Sequence, residues 1–287
     1  MRLVLSWERE APALAEGLAA LAAEAGLGGA EYGDRHLAVY APDDEDGRAR
    51  LFALEREARR WAAEFGAGEI LVRRAPVREE DWAEAWKRYY RPLRVGRLWL
   101  VPAWEAAPPA ADGPVVRLDP GMAFGTGEHA STRLCLLEMQ DLWPRLPAAP
   151  RVADVGSGSG VLAVAAAVLS CGAARVTAVD IDPVAVRATR ANAQLNEVEL
   201  DARLGGPEVL PPYAFDLILA NLTLDIHRAV AGELARAAAP GGVVVASGIV
   251  EDQEAEARAA FARAGLLARR ARAADGWLSL VLTKDGA

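Results

Sequence analysis

Apolar positions along the chain keep two different rhythms. Over residues 1–95, short apolar runs alternate with longer amphipathic stretches. Leu3 to Trp7, His36 to Tyr40 and Glu69 to Arg73 read as strands, and 11–25, 47–65 and 78–90 as helices. The second helix is the clearest: Leu51, Leu54, Ala58, Trp61 and Ala62 recur at helical spacing with Glu and Arg between them. This pattern predicts a small α+β sandwich of the ferredoxin-like kind. Leu98 to Val101 reads as one more strand, and the Pro- and Ala-rich run 102–118 as a semi-stiff linker. The organisation expected is a first domain over 1–95, a connection over 96–118 and a second domain over 119–287.

Beyond 119 the rhythm changes. Helices are expected over 133–140, 161–169, 183–196, from 222 to about 238, and over 252–264. Between them lie apolar runs with almost no alternation, such as 215–222 (FDLILANL), as buried parallel strands require. Pro240-Gly241-Gly242 reads as a break before the strand Val243–Ala246, and 267–272 with 277–282 as a closing hairpin. Alternating strand and helix predict a doubly wound, Rossmann-like α/β sheet that binds its ligand at the carboxyl ends of the strands.

The first strand–helix unit of that sheet carries the chemistry. Asp154-Val155-Gly156-Ser157-Gly158-Ser159-Gly160 leaves an apolar run and enters an Ala/Val/Leu-rich helix; Val176 to Val179 then ends at Asp180. Glycines let the backbone turn sharply and let a ligand approach it closely. A dinucleotide fingerprint wants G-x-G-x-x-G, yet here the position of the third glycine is Val161. The spacing favours S-adenosyl-L-methionine, with Gly156 and Gly158 beneath it and Asp180 accepting from both ribose hydroxyls. Two plainer readings stand beside this one. The glycines are an ordinary turn, or Asp180 is a helix cap, a role that Asp182 before Pro183 fits better.

Residues 119–132 (DPGMAFGTGEHAST) make a shaped glycine-rich loop around Phe124, with Ser131 and Thr132 opening a helix. One reading is a helix cap and a turn. The other is a lid in which Phe124 shields the site and Thr132 meets the methionine end of the cofactor near a helix N-terminus.

Composition narrows the field. At roughly 100–200 residues per domain, 287 residues suggest two. The hydrophobic fraction, 52%, is ample for buried cores. No segment reaches the ~18 apolar residues of a membrane span. The N-terminus turns charged too soon for a signal peptide. Cys135 and Cys171 sit in apolar surroundings and read as small core residues in a reducing compartment, so a cytoplasmic address is expected. Three scattered histidines (His36, His129, His227) predict no metal cluster. The net charge of −8 argues against direct nucleic-acid binding and favours a basic partner. Local basic density does exist, with Arg73, Arg74, Arg78, Arg88, Arg91, Arg94 and Arg97 in one stretch. Lys87 and Lys284 are the only lysines; that bias reflects base composition.

Residues 119–132, 154–162 (DVGSGSGVL), 180–183 (DIDP) and 220–222 (ANL) together resemble the PrmA family. Asp81-Trp82 through Trp86-Lys87, Arg91-Pro92-Leu93 and Val101-Pro102-Ala103-Trp104-Glu105 are similar to that family's substrate-recognition domain and linker. The resemblance implies a class I, S-adenosyl-L-methionine-dependent methyltransferase acting on lysine side chains or an α-amine of a ribosomal large-subunit protein, protein eleven, in the cytoplasm. A monomer is expected. It also implies cofactor contacts at Thr132, Gly156, Asp180 and Asn221, and an aromatic beside the site at Phe124. Ser131 departs from a Thr-Thr pair, and the stretch after Asn221 departs from the family pattern. Asn221 is the candidate for holding the acceptor amine, with cofactor contact alone or helix capping as its alternatives. His129 and His227 are candidate bases, although a lone histidine is more often structural. Two other readings remain: a methyltransferase for a different protein, RNA or small molecule, and a non-catalytic cofactor-binding protein.

Overall fold

A computed structural model of the chain describes residues 1–75, 91–108, 112–119 and 129–284. The helix expected over 78–90 and the aromatic Phe124 lie outside the described residues. The chain divides into two compact units, Met1–Tyr89 and Tyr90–Ala287.

In the first unit the order is β1 (Arg2–Trp7), α1 (Pro12–Glu24), β2 (Gly28–Gly33), β3 (His36–Tyr40), α2 (Glu45–Glu64) and β4 (Ile70–Ala75). The sheet runs β2-β3-β1-β4 with antiparallel pairings throughout. This is the ferredoxin-like arrangement that the sequence predicts. Period-two alternation buries Leu3, Leu5 and Trp7 of β1. Asp44 starts α2 by accepting the Gly47 N–H at 2.7 Å, and Leu51, Leu54, Ala58 and Ala62 of that helix are buried. The strand β2 is not legible in the sequence, because GGAEYG has almost no apolar residues to alternate.

The second unit opens with β5 (Leu93–Val95), β6 (Leu98–Pro102) and β7 (Val115–Leu118), a three-stranded sheet. β6 is the strand expected over Leu98 to Val101, whereas the run 102–118, expected as a linker, holds a strand of its own, β7. Leu98, Leu100, Val116 and Leu118 are buried in one cluster with Cys135 and Val161. The prolines that suggest a linker bracket these strands: Pro102 ends β6 and Pro114 precedes β7.

Next come α3 (Ala130–Leu142), β8 (Arg151–Val155), α4 (Val161–Leu169), β9 (Arg175–Asp180), α5 (Pro183–Leu195), β10 (Asp201–Leu204) and β11 (Phe215–Asn221). The chain ends with α6 (Leu224–Ala237), β12 (Ala238–Val250), α7 (Glu254–Arg263), β13 (Leu266–Ala274) and β14 (Trp277–Lys284). The main sheet runs β10-β9-β8-β11-β12-β14-β13. Its first five strands are parallel and β14 is antiparallel to both neighbours. This is a doubly wound, Rossmann-like sheet. Both faces are covered. Val152, Leu217 and Leu219 enter one apolar cluster, while Ala153, Ile218 and Ala220 enter the other. Pro240-Gly241-Gly242 does not end a strand. β12 runs through it as an irregularity, its pairing with β11 jumping from Phe215↔Ala238 to Leu217↔Val243.

Cys135 is buried as expected, but Cys171 is exposed in the turn after α4. Lys284 donates to the Ala238 carbonyl at 2.9 Å and stands 4.4 Å from the centre of the Tyr213 ring; the Met1 amine donates to the Ala41 carbonyl at 2.6 Å. No helix among the described residues is long and apolar enough to cross a membrane.

Candidate functional site

Strand order reverses between β8 and β11, and a crevice opens there at the carboxyl ends of the strands. A cavity of about 390 Å³ occupies it, reached by Thr132, Gly156, Gly158, Asp180, Glu208 and Asn221. Val155, Val161, Leu162, Ile181, Leu222, Ile226 and Val230 supply apolar walls.

The floor is the loop 156–160. Gly156 ties it to β9 by donating to Val179 O at 2.9 Å, and Gly160 closes it by donating to Ser157 O at 2.7 Å. Gly160 is the N-cap of α4 at φ +80°, and a Cβ there would stand 2.9 Å from Thr189 Cα. Glycine is therefore demanded twice, by the left-handed backbone and by the neighbouring helix. A glycine cap has no side chain to satisfy the first N–H groups of α4. Asp154 does it from the strand below: its Oδ2 accepts the Ala163 N–H at 3.0 Å. Ser157 and Thr189 hydroxyls meet at 2.9 Å, and Thr189 donates to Gly158 O at 3.2 Å.

Asp154 is buried, and its Oδ1 has no hydrogen-bond partner. Burial raises its pKa to about 7, the charge of Asp180 adds to the rise, and the Ala163 N–H opposes it. The unfolded carboxyl titrates near ~4. Between the two values the folded chain keeps a proton that the unfolded chain has lost, so this group makes stability fall as pH rises from about 4 to about 7. His227 works in the opposite sense. Burial lowers its pKa to about 4, so the folded imidazole is neutral where the unfolded one is protonated. Its contribution is present above roughly pH 6.5 and is lost as pH falls towards about 4. The two slopes offset each other in the native chain. Asp154→Asn is expected to remove one of them, leaving stability that rises between pH 4 and 7 by on the order of 4 kcal/mol relative to the native profile. Denaturant midpoints at pH 5 and pH 8 test this; parallel profiles for the two proteins would disprove it.

Asp180 ends β9 beside the loop. Its Oδ2 accepts the Gly158 N–H and its Oδ1 the Asp182 N–H, each at 2.9 Å. Asp182 is the helix cap, accepting the Val184 N–H at 2.7 Å with Pro183 in the first helical position. Asp180 is thus not the cap of α5 and lines the cavity. Across the cleft, Asn221 Nδ2 donates to Thr132 Oγ1 at 3.1 Å. The helix bearing Thr132 starts earlier than the sequence suggests. His129, not Ser131 or Thr132, is its cap, so both hydroxyl residues fall in the first turn and are buried. Of the predicted site residues, Thr132, Gly156, Gly158, Asp180 and Asn221 line one cavity.

Neither candidate histidine is among the described residues that line the cavity. His129 Nδ1 is 2.7 Å from Ser131 Oγ, and its ring meets Trp277 edge to face with centroids 4.5 Å apart. His227 is fully buried, its Nε2 donating to Ser247 O at 2.9 Å and its ring against Phe261.

Glu208 is a lining residue that the sequence reading does not reach. Its Oε1 accepts the Gly206 N–H at 2.8 Å. The signal for it is Gly205-Gly206-Pro207-Glu208 after β10, a four-residue strand too short to notice. Among the described lining residues there are two carboxylates and no lysine or arginine. Such a set of acceptors suits a ligand that offers hydroxyls, an amino group or positive charge, and it repels a pyrophosphate. No group of His, Cys, Asp and Glu among the described residues is arranged to hold a metal ion.

Comparison with known proteins agrees with this geometry. Residues 32–285 match the family described as ribosomal protein L11 methyltransferase (PrmA). A protein of that name from Symbiobacterium thermophilum is 46% identical over 209 residues, covering 72% of this chain and 67% of that protein. Another, from Pelobacter propionicus, is 43% identical over 253 residues, covering 85% and 80%. Among solved structures, a ribosomal protein L11 methylase from Lactobacillus delbrueckii subsp. bulgaricus is 30% identical with a TM-score of 0.59, covering 68% of this chain and all of that one.

Proposed function

The chain belongs to the PrmA family of ribosomal protein L11 methyltransferases, and from that premise we propose that it transfers methyl groups from S-adenosyl-L-methionine to amino groups of ribosomal protein L11, on lysine side chains or the α-amine. The observation that carries this reading is a crevice over a bare glycine backbone whose described lining holds two carboxylates and no lysine or arginine. When bound, S-adenosyl-L-methionine supplies a methyl group already activated on a sulfonium centre. The protein's own tasks are then binding, orientation and removal of water.

Gly156 and Gly158 offer bare backbone to the ligand. Asp180 has lone pairs beyond those used by Gly158 and Asp182, and these accept the ribose hydroxyls. Glu208 Oε2 accepts the adenine amino group, its other oxygen being held by Gly206. Thr132 and Asn221 stand together at the methionine end. An acceptor amine reacts only when neutral, and a lysine has a pKa near ~10.4 in water. The apolar walls lower it by desolvation. His227 plays no part in moving that proton, being buried and committed to Ser247. Asn221 is held by its donation to Thr132, and its carbonyl oxygen is the acceptor assigned to the amine.

Asn221→Ala is expected to lower kcat about 100-fold, the scale of a misplaced reactant, with the cofactor KM changed far less. Steady-state kinetics with each substrate varied would decide it, and an unchanged kcat would remove Asn221 from the chemistry. The function itself is tested with radiolabelled cofactor and purified L11. Label on L11 amines, in increments of one methyl group by mass, is the result expected. No label on L11, with label on ribosomal RNA or another protein, overturns the proposal.

A further inference from the structure

We propose that Asn192 is a positioning residue that ties the cofactor loop to the end of strand β7 and so supports the grip of the loop on its ligand. The inference rests on the cofactor reading above.

Asn192, in the last turn of α5, and Asn196, the residue that caps its C-terminus, lie about one turn apart, about 6 Å along the axis. Alternate residues of a strand are about 6.6 Å apart. The match lets two side-chain amides meet residues 117 and 119 in the manner of a neighbouring strand. Asn196 accepts the Arg117 N–H at 2.7 Å and donates to Arg117 O at 2.6 Å. Asn192 accepts the Asp119 N–H at 2.8 Å and donates to Asp119 O at 3.1 Å. β7 has β6 on one side only, so these amides close what would otherwise be an open edge.

The two asparagines then differ in one respect. Asn192 donates its second N–H to Ser159 O, inside the glycine loop, at 2.8 Å. It is 1% exposed, so water does not stand in for it. Asn196 has no arm to the loop; its remaining bond goes to Asn192 O within its own helix. Thr189, one turn before Asn192, holds Ser157 and Gly158 of the same loop. Among these contacts, those of Asn192 are the ones that join the loop to β7 as well as to α5.

This difference provides its own control. Asn192→Asp keeps an acceptor for the Asp119 N–H but loses both donors; Asn192→Ser shortens the side chain without adding charge. S-adenosylhomocysteine binding is measured by calorimetry for these variants, for Asn196→Ala and for the native chain, alongside amide exchange at residues 117, 119 and 159–161 without ligand. The expected result is about ten-fold weaker binding for both Asn192 variants, the scale of one lost buried hydrogen bond, with faster exchange at 159–161. Asn196→Ala is expected to bind like the native chain while exchanging faster at 117. Native-like binding by a folded Asn192 variant overturns the inference and leaves the cofactor reading standing. Equal weakening by Asn196→Ala also overturns it, since the strand alone would then matter. Absence of binding by the native chain overturns the cofactor reading first, and this inference with it.

Discussion

Asp180→Ala is expected to abolish measurable cofactor binding: a calorimetric titration with S-adenosylhomocysteine that saturates for the native chain becomes flat. Two losses combine. Hydrogen bonds to an ionised carboxylate are worth about 1.5–3 kcal/mol each, and two are expected to the ribose. The same substitution leaves the Gly158 and Asp182 N–H groups without their acceptors, so the loop loses its shape before any ligand arrives. Together these amount to at least about 3 kcal/mol, or more than 100-fold in affinity. Asp180→Asn sharpens the test. An amide keeps the size of the side chain but turns an NH₂ towards one of two N–H donors, so affinity falls without a change in volume. Retention of native affinity by both variants would mean that the ligand lies elsewhere.

Gly160→Val comes second in size and acts through packing. A non-glycine residue at φ +80° costs about 1–2 kcal/mol, more when it is β-branched. The new Cβ would also stand 2.9 Å from Thr189 Cα, a backbone atom that no rotamer change can move. α5 has to shift away from α4, and the Thr189 bonds to Ser157 and Gly158 go with it. Overpacking of this sort adds about 1–3 kcal/mol. The variant is therefore expected to unfold at markedly lower denaturant and to lose cofactor affinity. Gly172→Val supplies the comparison. Its φ is also +80°, but nothing lies within 4 Å of a Cβ there, so only the backbone cost applies. Equal midpoints for the two variants would show that the contact with Thr189 carries no weight.

Much of this was legible in the sequence because it is local. Val152–Asp182 announces itself through unbroken apolar runs, which a parallel strand covered on both faces requires, and through glycines where the backbone must turn. The pairing of Asp182 with Pro183 identifies the cap of α5 and so frees Asp180 for the cavity. What stayed hidden depends on partners distant in the chain. β7 is four residues long and is recognisable only once Asn192 and Asn196 are seen along its edge. β10 buries a single residue, Ala202, so its pattern carries no period, and Glu208 beyond it goes unseen. His129 caps α3 although Ser131 and Thr132 are the better cap formers by type. Burial of those two next to Asn221 and Ser247 outweighs local preference.

The tethered amines have one more consequence. An enzyme that alkylates amines is surrounded at high local concentration by its own. This chain has 32 basic residues, of which two are lysines, leaving 30 arginines. A guanidinium stays protonated at any pH where proteins fold and is no nucleophile for a sulfonium. Of the amines that the structure describes, Lys284 lies against Tyr213 and Ala238 O, and Met1 is held by Ala41 O. Whatever the origin of the bias towards arginine, a chain with two lysines presents few amines able to compete with its target for turnover.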